Sequence, residues 1–184
     1  MKFATIVLAA DREGNNPVAK AAGVPCKSLT PLGGKPMLQR VLDALDNCPL
    51  VERIIQCGPC EDIWQTHPGL GPVNHPLEWI PPADSPSLSA WNAIESIEQK
   101  VPVLLTTADI AFPNPAIFAD FCQRAALSGC DVAVGLIPYQ KVTDRFPGVR
   151  RTPLKFADGP FCTCNMFAFL TPRGREFIRF WRKL

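Results

Sequence analysis

The sequence has no block of charge of one sign: 19 Lys and Arg stand against 17 Asp and Glu, a formal net charge of +2 over 184 residues. A nucleic-acid footprint is therefore absent, and the one basic stretch, residues 173–183, is interleaved with Phe and Trp as on an amphipathic helix. Long apolar runs are also lacking. Residues 3–10, after Lys2, are apolar for only eight positions, too few for a membrane span and without a cleavage region, so they read as a buried first strand. The expectation is a cytoplasmic protein with neither a membrane nor a nucleic-acid partner. No linker, repeat or low-complexity segment divides the chain, and its length suits one full core but not two. Residues 1–184 are thus expected to form a single domain. Because the chain closes on an amphipathic helix with no further strand, either a continuation past Leu184 or a homo-oligomer partner over Phe177, Phe180 and Trp181 is expected.

Eight cysteines are present, but their spacing lacks a framework. Only Cys57-Gly58-Pro59-Cys60 and Cys162-Thr163-Cys164 are close pairs. A CxxC and a distant CxC make a weak metal signature, and a disulfide scaffold does not suit a chain of this size without a signal peptide. A redox CxxC should open a helix after a strand, and Cys57 does follow a strand-like run; Gly58-Pro59 also makes a plain turn. Free structural thiols are the favoured reading.

What is present is an alternation of strand and helix patterns. Residues 4–10, 51–58, 101–107, 131–137 and 161–170 read as strands, with a short one at 77–80. Pro36 suits the first position of a helix carrying Met37, Leu38, Val41, Leu42 and Leu45 on one face. Further helices are expected at 87–99, at 115–128 with Ile117, Phe118, Phe121 and Cys122 inward, and at 173–184. Residues 11–31 and 139–153 read as loops, and the proline-rich 66–82 as largely irregular. The order predicts an α/β fold with a mostly parallel sheet flanked by helices.

In such a sheet, ligands collect beyond the carboxyl ends of the strands. Three polar clusters fall there: the loop after Ala10, the turn at Asp109 and the segment around Asn165. The first holds Asp11, Arg12, Gly14, Lys20 and Lys27, then Gly33-Gly34-Lys35. Small residues and cations together suit a triphosphate, although an ordinary solvated loop has the same composition. The segment is not a P-loop, because the four-residue spacer and the Ser or Thr after Lys are missing. Asp109 follows a wholly apolar strand, where an anchored carboxylate can bind Mg²⁺ or simply cap a helix.

Several segments resemble the MobA-like nucleotidyltransferases, a family that includes molybdopterin guanylyltransferases and sugar- and polyol-phosphate cytidylyltransferases. They are Ile6-Val7-Leu8-Ala9-Ala10, then Lys27-Ser28-Leu29-Thr30-Pro31-Leu32-Gly33-Gly34-Lys35-Pro36-Met37-Leu38, and Arg40-Val41-Leu42-Asp43-Ala44-Leu45. Ser85-Pro86-Ser87-Leu88-Ser89-Ala90-Trp91-Asn92 and Leu104-Leu105-Thr106-Thr107-Ala108-Asp109 complete the match. The resemblance implies a Rossmann-like three-layer α/β/α nucleotide-diphospho-sugar transferase fold with a mostly parallel mixed sheet. It implies that an acceptor phosphate attacks the α-phosphate of an NTP, with Mg²⁺, and that pyrophosphate leaves. Lys27 then stands for the phosphate-contacting lysine and Asp109 for the Mg²⁺ ligand. Ala9, Ala10, Asp11, Ser87, Ser89 and Asn92 stand at nucleotide-binding positions; the catalytic arginine is Arg12, although it comes early for the family's spacing, or its place is taken by Lys20, or it is absent.

The chain also departs from that pattern. Asp11 stands where the family has glycine, and an anionic side chain there is unfavourable to a triphosphate unless it turns away or binds metal. A late-strand carboxylate is replaced by Asn165, an acceptor or metal candidate that also reads as a turn residue. Two other functions compete: a related-fold glycosyltransferase, which wants an Asp-x-Asp motif missing at Asp109-Ile110-Ala111, and a non-catalytic nucleotide-binding regulatory module.

Overall fold

The computed structural model describes residues 1–11, 16–110 and 112–181. The first half runs β1 (Phe3–Leu8), α1 (Pro17–Ala22), a 3-10 turn (Lys27–Leu29), β2 (Pro31–Leu32), β3 (Lys35–Pro36), α2 (Met37–Asp46), β4 (Val51–Cys57), α3 (Glu61–Thr66) and β5 (Leu77–Ile80). The second half runs α4 (Pro86–Glu95), β6 (Val103–Thr107), α5 (Pro115–Leu127), β7 (Val132–Pro138), α6 (Tyr139–Arg145), β8 (Leu154–Phe156), β9 (Gly159–Phe169) and α7 (Pro172–Trp181).

Among the described residues one large sheet forms, in the order β5-β4-β1-β6-β9-β7, with β8 on β9. The strands β5, β4, β1 and β6 are mutually parallel, and β9 is antiparallel to both β6 and β7. The sheet is therefore mixed and mostly parallel. Apolar side chains line both faces of the central strands, as a doubly covered sheet requires. One face packs on α2 and α5 through Leu38, Val41, Leu42, Phe118 and Cys122; the other packs on α4 and α7 through Ala90, Ile94 and Ile178. Three layers result.

Several local expectations need correction. Residues 11–31 are not all loop: Asn16 Oδ1 accepts from the Val18 and Ala19 amides and Pro17 opens α1, a start signal too short to register as periodicity. Pro36 caps α2 instead of opening it. The helix α4 stops at Glu95, four residues early, and Ile117 on α5 is 54% exposed. The expected loop at 139–153 contains α6, which buries no residue and so carries no apolar stripe to read. Gly33 and Gly34, at φ 56 and 79, form the turn of the β2–β3 hairpin. That is what a type I′ turn demands of both central residues, so they serve a hairpin instead of a phosphate.

All eight cysteines are free, five of them buried. Cys57 ends β4 and Cys60 precedes α3, the placement a redox pair would want. Burial, however, pushes the Cys57 thiol up to about 12, the opposite of a reactive thiolate. No helix among the described residues is long and apolar enough to cross a membrane.

Candidate active site

The chain reverses direction across the sheet between β1 and β6. After β1, the chain builds β4 and then β5 on one side; it then crosses back to place β6 on the other side of β1. A crevice opens beyond the carboxyl ends of strands at such a switch point. Here it is a cleft of about 550 Å³. Its floor is pinned by strand-end hydrogen bonds, from the Ala9 amide to the Cys57 carbonyl and from the Ala108 amide to the Leu8 carbonyl, each 2.9 Å.

Lys27 and Asp109, 82 positions apart, meet in this crevice: Lys27 Nζ donates to Asp109 Oδ2 at 2.6 Å. Their side chains stay about one third exposed, 34% and 31%, so the pair is open to a ligand. Partial burial alone would raise the Asp109 carboxyl. Hydrogen bonds from Lys27 and from the Thr107 hydroxyl, with the Lys27 charge, outweigh that and hold it below its ordinary value. Asn165 Nδ2 approaches Asp109 Oδ1 at 3.4 Å. Asn165 reaches that point because β9 spends Cys164, Asn165 and Met166 opposite Gly135, a bulge in its pairing with β7. Asn165 takes φ 54 there, which Asn tolerates better than most residues.

Asp11 finds a place that its charge alone did not suggest. Its Oδ2 accepts from the Lys27 backbone amide at 2.8 Å, so the carboxylate fastens the lysine loop to the end of β1. Ser28 adds a second tie, donating to the Ala9 carbonyl at 2.9 Å. Ala10 needs the close approach of Gly58: a Cβ on that glycine would lie 3.0 Å from the Ala10 Cβ.

The other expected residues separate. Ser89 lines the cleft, where its hydroxyl accepts from the Ala83 amide at 2.9 Å. Ser87 is not among the lining residues; its hydroxyl lies 3.1 Å from that of Ser85. Asn92 is exposed and also off the cleft, because the rise of a helix sets it about 10 Å down the axis from Ser85. Lys20 is exposed on α1, away from the lining, and Lys35 pairs with Asp43 elsewhere. Arg12 lies outside the described residues.

Sequence reasoning missed part of the wall. The turn Ala83, Asp84, Ser85 and Pro86 faces the cleft, and its signal was available: Ser85 caps α4, accepting from the Leu88 amide at 3.1 Å, with Pro86 at the first helical position. Phe167 and Trp181 also line it, and nothing in their local sequence marks them.

Residues 5–153 match the profile of the MobA-like NTP transferase domain. The chain belongs to that family. Its fold is that of the nucleotide-diphospho-sugar transferases. A hypothetical transferase from Thermus thermophilus superposes with a TM-score of 0.72 at 25% identity, covering 100% of this chain and 71% of that one. A 4-diphosphocytidyl-2C-methyl-D-erythritol synthase from Anaerococcus prevotii gives 0.68 at 12% identity, covering 100% and 76%. A CMP:2-keto-3-deoxy-manno-octonic acid synthetase complexed with CTP gives 0.65 at 14% identity, covering 100% and 78%. At such identities these last two share the fold. No curated protein matches the sequence.

In this MobA-like chain, the lining among the described residues holds one cation, Lys27, against the carboxylates Asp11, Asp84 and Asp109. A nucleoside triphosphate is itself strongly anionic. A divalent cation entering with the nucleotide would lie among these carboxylates. Hard cations of the Mg²⁺ type need only one or two protein carboxylates when phosphate oxygens complete their shell. The partly exposed Asp109 is the carboxylate that would hold such a cation, with the Asn165 amide nitrogen 3.4 Å from it.

Proposed function

We propose that the chain, acting as a single domain, is an Mg²⁺-dependent nucleotidyltransferase that moves an NMP group from an NTP onto a phosphorylated small-molecule acceptor. The observation that carries this reading is the Lys27–Asp109 pair at the switch point, 2.6 Å apart and still reachable. Support comes also from family membership and from the neighbour complexed with CTP.

Lys27 is pre-placed by its contact with Asp109, and the loop carrying it is fixed by Asp11 and Ser28. When a triphosphate enters, the ammonium exchanges one anionic partner for another and neutralises charge on the phosphate oxygens. Little reorganisation is needed, which is the source of most electrostatic catalysis. The acceptor phosphate oxygen forms its bond to the α-phosphorus as the bond from that phosphorus to the bridging oxygen breaks. Pyrophosphate leaves with the electron pair. Because an acceptor phosphate is already anionic at neutral pH, the step needs positioning in line and charge stabilisation more than a general base. Bound Mg²⁺ would be held by Asp109, with Asn165 beside it, and would supply charge neutralisation between phosphates.

Ala9 and Ala10 leave room for the phosphates to approach the backbone, and Ser85 and Ser89 offer hydroxyls at the start of α4. Asp11 acts in this reading by shaping the loop. Asn165 serves the metal or the acceptor.

The test is a screen of the four NTPs against sugar, polyol and cofactor phosphates, read as pyrophosphate release with Mg²⁺. Release that requires both an NTP and an acceptor supports the proposal. Nucleotide binding with no release in any combination would instead identify a binding module.

A further inference from the structure

The cleft wall that lies beyond the Lys27–Asp109 pair comes from outside the segment matching the family, which ends at residue 153. Asn165 and Phe167 project from β9, and Trp181 stands on the last described residue of α7. Nothing about Trp181 as an isolated C-terminal tryptophan would place it there. Its position follows from how α7 is docked.

The docking is specified along the whole helix. At its start, Thr171 donates its hydroxyl proton to Asp131. A Cβ on Gly174 would lie 2.1 Å from the Asp131 carbonyl oxygen, so the helix backbone rests directly on the chain entering β7. In the middle, Arg175 is 5% exposed and donates to the carbonyls of Ile97 at 2.8 Å and of Glu98 and Val101 at 2.6 Å. A longer contact reaches the Ile94 carbonyl at 3.4 Å. These groups belong to the end of α4 and the turn after it. Ile178 is fully buried, and the Arg179 guanidinium lies 5.7 Å from the Trp91 ring centre. The two helices run antiparallel, so the start of α4 and the end of α7 reach the same edge of the sheet. The docked helix thus brings Trp181 to the cleft lining.

The chemistry of this wall differs from that around Lys27. Phe167 and Trp181 both pack on the apolar cluster between the sheet and helices α4 and α7, and both line the cleft. With Asn165 they offer aromatic surface and one amide, and no charged side chain among the described residues. Aromatic faces bind the C–H face of a sugar ring or a planar heterocycle, through dispersion and the ring quadrupole; an open chain has no such face to offer.

Resting on the nucleotidyltransferase reading, we infer that Trp181, with Phe167, is the specificity-determining wall for the acceptor. It takes the flat face of a ring-bearing phosphomonoester and disfavours phosphomonoesters that carry no ring.

Calorimetric titration of the protein with glucose 1-phosphate, mannose 1-phosphate, flavin mononucleotide and glycerol 3-phosphate, each with Mg²⁺ and a non-hydrolysable NTP analogue, tests this without relying on turnover. At least one ring-bearing phosphomonoester binds more tightly than glycerol 3-phosphate, and whether the hexose phosphates or the flavin do so decides between sugar and heterocycle. Trp181→Leu, which keeps apolar bulk against the core, weakens that binding about tenfold, whereas Trp181→Phe restores most of it. Affinity for the NTP analogue stays within about twofold, as assignment of Trp181 to the acceptor requires. Equal affinities in wild type and Trp181→Leu, no preference for the ring-bearing phosphomonoesters, or a loss confined to the NTP analogue would each overturn the inference. Trp181-dependent binding without pyrophosphate release in any assay would leave it standing and remove the transferase reading.

Discussion

Strands β1, β4 and β6 run parallel through the middle of the sheet with Phe3, Ile6, Val7, Ile54, Ile55 and Leu104 wholly sealed, whereas β7 leaves Val134 and Leu136 at 40% and 37% exposure and β8 is exposed along its length. The first region is covered on both faces by helices. The second lies toward one edge, alternates in direction and bulges at Asn165. Packing in the parallel region fixes the backbone at the switch point to the precision a charged site needs. The antiparallel region tolerates irregularity and uses it, since the bulge aims Asn165 at Asp109 and the chain leaving β9 carries α7 to the cleft.

This contrast is open to breakage. Leu42, fully buried under the parallel strands, should lose about 3 kcal/mol of stability on Leu42→Ala, as core truncations with a residual cavity do. Leu154→Ser on β8, at a side chain 44% exposed, should stay within about 0.5 kcal/mol. Urea unfolding of both variants measures the pair; comparable losses would erase the distinction between the two regions.

A smaller effect sharpens the same picture at the other end of the sheet. Asp46, at the end of α2, accepts hydrogen bonds from the backbone amides of Asn74 and His75 and from both side chains, tying down the segment that leads to β5. Burial opposes its ionisation, but these four donors prevail and lower its carboxyl from 3.8 to about 2. A depressed carboxylate stabilises the fold above its unfolded value, and that contribution is lost as pH falls through the folded one. Stability should therefore decline between pH 4 and pH 2. Asp46→Ala should cost about 2 kcal/mol at neutral pH and flatten that part of the profile, as thermal unfolding across the range would show.

The strands of the parallel region could be read from sequence because strands covered on both faces are continuous apolar runs, as at Ile54–Ile55 or Leu104–Leu105. What escaped was structure without burial to announce it. The helices α3 and α6 bury no residue, and α1 rests on a cap and a proline over six residues. In the site, Asp109 was legible as a carboxylate at the end of an apolar strand, and Lys27 by resemblance. Asp11 looked like an obstacle because a sequence gives its charge but not its partner, the Lys27 amide. Ser87 and Asn92 fell off the cleft for a geometric reason: Ser85 and Ser89 share a helix face one turn apart, which the linear motif does not convey. Trp181 depends on the long-range docking of α7 on α4, which local spacing does not encode.

Pyrophosphate release by Lys27→Ala, Asp109→Ala and the double variant tests most directly whether Lys27 and Asp109 form one nucleotide site. Each single change should lower turnover by roughly 100- to 1000-fold, the usual cost of removing a preorganised electrostatic group. The double variant should fall little further, because groups acting as a unit are not additive. Turnover at the wild-type level in either single variant, with folding intact, would contradict the assignment.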